Sequence, residues 1–300
     1  MTRNTWTISC PRWLRQISNH LLKDLFEAHG YELDLTWDDL AETQVESIFY
    51  AWQNLPEVEC RDIEIVLHEG SHMASGDEST RAICEEAFRQ GRQDLIEELG
   101  GYESRHDKAV STYIRAVYVW NLAVRFARAD SLSRGRYWIK RCDIPAVEPD
   151  ASPSKIDELK EAFSAFFQAT QARGRHCQID HNVRASGSDY FFAYSDGYAD
   201  TYVTLDDAGD LDRRPERRAF EMVFVYDRLH GTLEMFARGG KKVYIPLQEI
   251  LCRIILDEEI GPENRDSHPY ELNGLLNRNF QFLTDPADGI DTVRVRKLRL

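Results

Sequence analysis

The chain has 300 residues, 42% of them hydrophobic and 29% charged, with a formal net charge of −14 at pH 7. That length and balance predict a soluble globular protein of one large or two ordinary domains. The acidity excludes non-specific coating of nucleic acid or anionic membrane, while leaving room for local basic patches.

No apolar run approaches the roughly 18 residues of a membrane span. The N-terminus, MTRNTWTISCPRWLRQ, lacks the apolar core of a secretory signal. Neither a membrane partner nor export is therefore expected. Cys10, Cys60, Cys84, Cys142, Cys177 and Cys252 are scattered without a C-x-x-C pair and read as reduced thiols of a cytosolic protein.

In chain order, residues 11–140 read as helices. PRWLRQISNHLLKDLFEAHG spaces Leu14, Ile17, Leu21, Leu22, Leu25 and Phe26 at helical intervals and stops at Gly30. TWDDLAETQVESIFYAWQNLP opens with Thr36 as a cap and ends before Pro56. VECRDIEIVLHEGSHMA follows. STRAICEEAFRQGRQDLIEELGG ends on Gly100 and Gly101, and HDKAVSTYIRAVYVWNLAVRFARAD is apolar on more than one side and is expected to be central.

The three prolines of RCDIPAVEPDASPSK mark a linker at 143–154, separating a helical domain (1–142) from a second domain (155–300). The second domain opens with the helix KIDELKEAFSAFFQATQARG and changes to strands in RHCQIDHNVRA, DYFFAYSDGYADTYVTLD, AFEMVFVYD and TLEMFARGG, with DRLHGT as a hairpin turn. VYIPLQEILCRIILDEE reads as a helix in which Pro246 must sit in the first turn or break it. The chain ends on the alternating DTVRVRKLRL. A strand at the last residue needs a partner, which leaves room for the natural chain to continue past Leu300. The fold class expected is α+β: a helical N-terminal region followed by an antiparallel sheet with flanking helices.

Two constellations carry chemistry. His68-Glu69-Gly70-Ser71-His72 has the spacing H-E-x-x-H, which sets two imidazoles on one helix face for a zinc ion, with the intervening glutamate as general base. Over these dozen residues the stretch resembles the zincin metallopeptidases, and the resemblance implies zinc ligands at His68 and His72 and a base at Glu69. Against it, no third ligand stands in a recognisable downstream motif. The preceding segment is helical rather than a sheet, and Gly70 and Ser71 weaken the helix. The helical wheel puts Ile63, Val66, Leu67, Gly70, Met73 and Ala74 on one apolar stripe, with both histidines roughly opposite, which also describes a solvated face.

The second constellation is basic. Arg238, Lys241 and Lys242 flank Gly239-Gly240 between a strand and a helix start, where free N–H groups favour anions. Arg213, Arg214, Arg217 and Arg218 are expected in a loop before a strand, and Arg294, Arg296, Lys297 and Arg299 close the chain. Tyr190, Phe192 and Tyr194 on a nearby strand offer stacking surfaces if they are not core. His176, Cys177, Asp180 and His181 form two same-face pairs, too few for a site. The function expected is a non-catalytic cytosolic regulatory or interaction module without cofactor, which engages a protein or nucleic-acid partner through Arg213, Arg217, Arg238, Lys241 and Lys242. The alternative is a zinc-dependent hydrolase at His68, Glu69 and His72.

Overall fold

In the computed structural model, which describes residues 13–42, 44–205 and 209–263 with 273–276, 280, 282 and 293, the helical half of the sequence resolves into seven α-helices. These are α1 (Asn19–Ala28), α2 (Glu46–Gln53), α3 (Glu57–Met73), α4 (Asp77–Arg89), α5 (Gln93–Gly100), α6 (Arg105–Arg115) and α7 (Val117–Ser133). Two expected helices are each split. Gly91, at φ +70, turns the chain between α4 and α5. Ala116, at φ −152 and ψ 64, separates α6 from α7. Thr36 precedes only a short 3₁₀ turn and makes no side-chain capping bond to it, and α2 begins ten residues later.

The periodic apolar residues of α1 meet those of α2 and α3 in one cluster, in which Leu21, Leu22, Leu25, Phe26, Ile48, Trp52, Ile63 and Leu67 are buried. Asp107 of α6 closes the open N-terminus of α1. Its carboxylate accepts from the Ser18 backbone N–H at 2.8 Å and the Ser18 hydroxyl at 2.6 Å.

The second half supplies β2 (Cys177–Val183), β3 (Asp189–Leu205), β4 (Leu211–Asp227) and β5 (Thr232–Phe236), together with α8 (Pro153–Gln171) and α9 (Lys241–Leu251). A further strand, β1 (Trp138–Arg141), lies inside the stretch expected to be helical and pairs with β5. The sheet is antiparallel throughout, in the order β1-β5-β4-β3-β2. The α+β class therefore stands.

Strand alternation gives the sheet two apolar faces. Phe191, Ala193, Met222, Phe224, Tyr226 and Met235 pack under Leu159, Phe163 and Phe167 of α8 and Val243, Leu247 and Leu251 of α9. On the opposite face, Tyr190, Phe192, Val223 and Phe236 pack against Phe126 and Ala129 of α7 and Ala82 of α4. The aromatic run of β3 is thus core on both sides, and only Tyr194 is part-exposed. The stacking role allowed for it gives way to packing.

Three further features differ from the sequence reading. Pro246 sits inside α9 without ending it; burial of Val243, Leu247 and Leu251 outweighs the lost hydrogen bond. The 143–154 segment is tied to the sheet: the Ile144 N–H donates to Gly231 O, and the buried Tyr226 hydroxyl engages Pro145 O and both backbone groups of Val147. Arg213, Arg214, Arg217 and Arg218 lie within β4 rather than in a loop. The terminal basic segment with Arg294, Arg296, Lys297 and Arg299 lies outside the described residues. Among the described residues, no helix is long and apolar enough to cross a membrane.

Candidate functional site

The H-E-x-x-H stretch occupies the last turns of α3. Its apolar stripe is buried as the wheel requires, at Ile63, Val66, Leu67, Gly70 and Met73. His68, Glu69 and His72 are exposed, and the two imidazole rings stand edge to face with centroids 4.7 Å apart. Among the described residues, no group of three or more His, Cys, Asp or Glu side chains is arranged to hold a metal ion. The two histidines fit as a pair, and the donor set stops there. Glu69 and His72 border a shallow groove of about 260 Å³ that runs between α3, α4 and α7 as far as Arg128.

The basic residues assemble elsewhere, at the foot of a two-stranded arm. β3 pairs with β2 only through Asp189–Ser195, and β4 pairs with β5 only through Val223–Asp227. Ala199–Leu205 and Leu211–Arg217 pair with each other, the register placing Thr201 opposite Pro215 and Val203 opposite Arg213. The ribbon has no core to cover, and its two faces differ. On one face the charges are balanced internally: Arg214 pairs with Asp212, Arg218 lies 3.5 Å from Glu216, and the Arg218 guanidinium covers the Tyr202 ring. The other face carries Val203, Leu205, Leu211, Arg213 and Arg217.

Where the arm joins the sheet, the register shifts between Asp196 and Ala199. Such a bulge re-aims the extra side chain. Here it turns Tyr198 toward the end of α8, where its hydroxyl donates to Gln171 O at 2.8 Å. The chain leaves α8 through Ala172 at φ 53 and turns again at Gly174, φ +74, where a Cβ would come within 2.7 Å of Phe167 Cβ. These two left-handed residues flank Arg173, which lies back against the sheet. The Arg173 guanidinium carbon lies 4.1 Å from the ring centroid of Phe220, 5.2 Å from Tyr198 and 5.6 Å from Phe167, and its Nε donates to Gln171 Oε1. It is held by π-faces and an amide. Among the described residues it makes no ion pair with a carboxylate.

Two adjoining cavities share Arg173. One, of about 380 Å³, is bordered by Arg128, Arg173, Phe220, Glu221 and Arg238. The other, of about 520 Å³, is bordered by Arg173, Arg175, His176, Asp196 and Arg217. Around the two, five arginines (128, 173, 175, 217 and 238) face two carboxylates, both occupied. Glu221 accepts from Arg128 at 3.3 Å, and Asp196 accepts from the His176 backbone N–H at 2.6 Å.

Of the residues singled out from sequence, Arg238 and Arg217 are thus brought to one cleft, linked through Arg173. Arg213 lies farther out on the same arm face as Arg217. Lys241 and Lys242 are exposed on the first turn of α9 and line neither cavity. Sequence reasoning missed Arg128, Arg173 and Arg175, and set His176 aside as a member of one same-face pair. The only local trace of Arg173 and Arg175 was the Arg-Gly-Arg-His run at the end of a helix, which by itself reads as a plain turn. No family model, curated protein or solved structure matches this chain.

Proposed function

We propose that the chain is a non-catalytic cytosolic interaction module that binds an anionic partner at the basic cleft between α7, α8 and the foot of the β3–β4 arm. One observation carries the reading. Arg173 is fixed in place by aromatic rings yet, among the described residues, is not neutralised, and four more arginines share its two cavities. A guanidinium ordered in advance loses little entropy when it meets a phosphate or carboxylate. Arg213, Lys241 and Lys242 flank the cleft and would extend its field toward an approaching anion. The cytosolic part of the reading rests on the scattered spacing of the six cysteines in the sequence. The hydrolase alternative at His68, Glu69 and His72 has only two aligned ligands in its support.

The test is retention on phosphocellulose at low salt and neutral pH. A protein of net charge −14 should pass through unless a local cationic site engages the matrix. Wild type is expected to be retained and to elute with salt, and the double substitution Arg173→Gln with Arg217→Gln is expected in the flow-through. Flow-through of the wild type overturns the proposal.

A further inference from the structure

The make-up of the cleft bears on which anion would fit it. Resting on the proposal that it is a binding site, we infer that its ligand is a single-stranded nucleic acid, gripped by consecutive phosphates and bound without strong sequence preference. The juxtaposition behind this is one guanidinium fork common to two cavities, with exposed aromatic rings at either side.

An isolated phosphate needs one cavity. Two cavities of about 380 and 520 Å³ that share Arg173 suit phosphates joined through a sugar, with Arg128 and Arg238 around one and Arg175 and Arg217 around the next. Stacking surface lies beside each. Tyr198 is 57% exposed with the Arg173 guanidinium near its ring. Tyr137 is 42% exposed, with the guanidinium carbons of Arg136 and Arg238 at 5.7 and 5.8 Å from its ring centroid. Any base can stack on such rings, because every base has a π-face.

Base edges would find few readers. Asp196 and Glu221, the carboxylates in the lining, already accept hydrogen bonds from the protein. Charge argues against duplex. Double-stranded DNA carries one negative charge per ~1.7 Å of axis, and its second strand would be held against a chain of net charge −14. An acidic peptide could satisfy the arginines but would leave the two tyrosine rings uncovered.

The experiment is fluorescence anisotropy on the full chain, with a labelled oligothymidylate of about 12 nucleotides. Unlabelled duplex of the same length, inorganic tripolyphosphate and an oligoglutamate serve as competitors. Contact with three or four phosphates at a slope of about −0.7 each predicts a 20- to 50-fold loss of affinity between 50 and 200 mM salt. Arg173→Gln and, separately, the exposed Arg175→Gln should each weaken binding, the first about tenfold or more; circular dichroism checks that both are folded. Tyr198→Leu should weaken the oligonucleotide about tenfold and leave tripolyphosphate unchanged. Tripolyphosphate or oligoglutamate competing as well as oligothymidylate, charge for charge, would overturn the nucleic-acid assignment while sparing the anion site. Duplex binding tighter than single strand would overturn the single-strand assignment. Absence of binding to every one of these polyanions would remove both.

Discussion

Arg184 gives the most decisive test of how the helical half is fixed to the sheet. Its guanidinium leaves the β2–β3 turn and makes a bidentate pair with Asp130 of α7 at 2.6 and 2.9 Å. It also donates to Glu85 of α4 at 3.0 Å and to the Tyr190 hydroxyl at 3.2 Å, and its guanidinium carbon lies 5.5 Å from the Phe126 ring centroid. Burial alone would lower its pKa; the hydrogen bonds to Asp130 and Tyr190 outweigh burial and raise it. The Arg184 side chain is 13% exposed, while Asp130 and Glu85 are 29% and 33% exposed.

In Arg184→Met the two carboxylates could rehydrate, so the loss should stay near the lower end of the ~3–5 kcal/mol typical of breaking a fully buried pair. The lost cation–π contact is included in that figure, and we expect about 3 kcal/mol. Urea unfolding, followed by tryptophan fluorescence, would be run on Arg184→Met, Asp130→Asn and the double variant. A coupling of about 2 kcal/mol is expected between the two positions. A coupling under about 0.5 kcal/mol, the size of an ordinary surface pair, would refute the pinning role. Because α7 also carries Arg128, loosening this pin should weaken anion binding without touching the cleft directly.

Tyr226→Phe should cost about 1–3 kcal/mol in chemical denaturation, because the Val147 N–H loses its buried acceptor; unchanged stability would mean that segment 143–154 is not held there. Gly174→Ala should cost about 1–3 kcal/mol from its left-handed φ and the close approach to Phe167, and should weaken polyanion binding by displacing Arg173; a stable, fully binding variant would contradict this. His106 has a pKa lowered by burial, with Asp107 opposing and Arg105 adding to the shift. As pH falls through about 6.5 the unfolded chain therefore takes up this proton before the native one, and stability drops on the acid side. His106→Gln should flatten the pH dependence of the urea midpoint between pH 7 and 5, and an unchanged slope would count against the assignment. Burial pushes the thiols of Cys177 and Cys252 up to about 11 and about 12. A thiol-specific disulfide reagent at mildly alkaline pH should leave both untouched until urea is added; rapid native labelling of Cys252 would show that its surroundings open.

Much of the architecture was legible because local periodicity and tertiary burial agree. Ile156, Leu159, Phe163 and Phe167 recur at helical spacing behind Pro153, and they are the residues α8 buries. The stripe of α3 held for the same reason, and Tyr190, Phe192 and Tyr194 of β3 share one face of the sheet. What escaped is non-local. β1 is four residues long, and only its pairing with β5 distinguishes it from a helix exit. The Arg-rich part of β4 is exposed on both faces, so no alternation of polarity announces a strand, and its partner in β3 supplies the order. Arg173 becomes a candidate only once the turn through Ala172 and Gly174 sets it on Phe220, 47 positions away in the chain. Conversely, the most conspicuous motif, His68 to His72, needs a third donor from elsewhere in the chain, and local spacing could not say whether one exists.

Pro215 has a consequence for the behaviour of the protein in solution. From Leu211 to Met222 the outer side of β4 has no partner among the described residues, and such an open ladder invites another chain to add a strand. A proline within a paired strand is tolerated where its missing N–H would have faced outward. Pro215 therefore interrupts the row of donors that a second copy would need along this edge, and Arg213 and Arg217, on the face without internal carboxylate partners, repel their own counterparts. The β4 edge of the arm is in this way guarded against the addition of a strand, while the outer edge of β3 from Ala199 to Leu205 carries no proline.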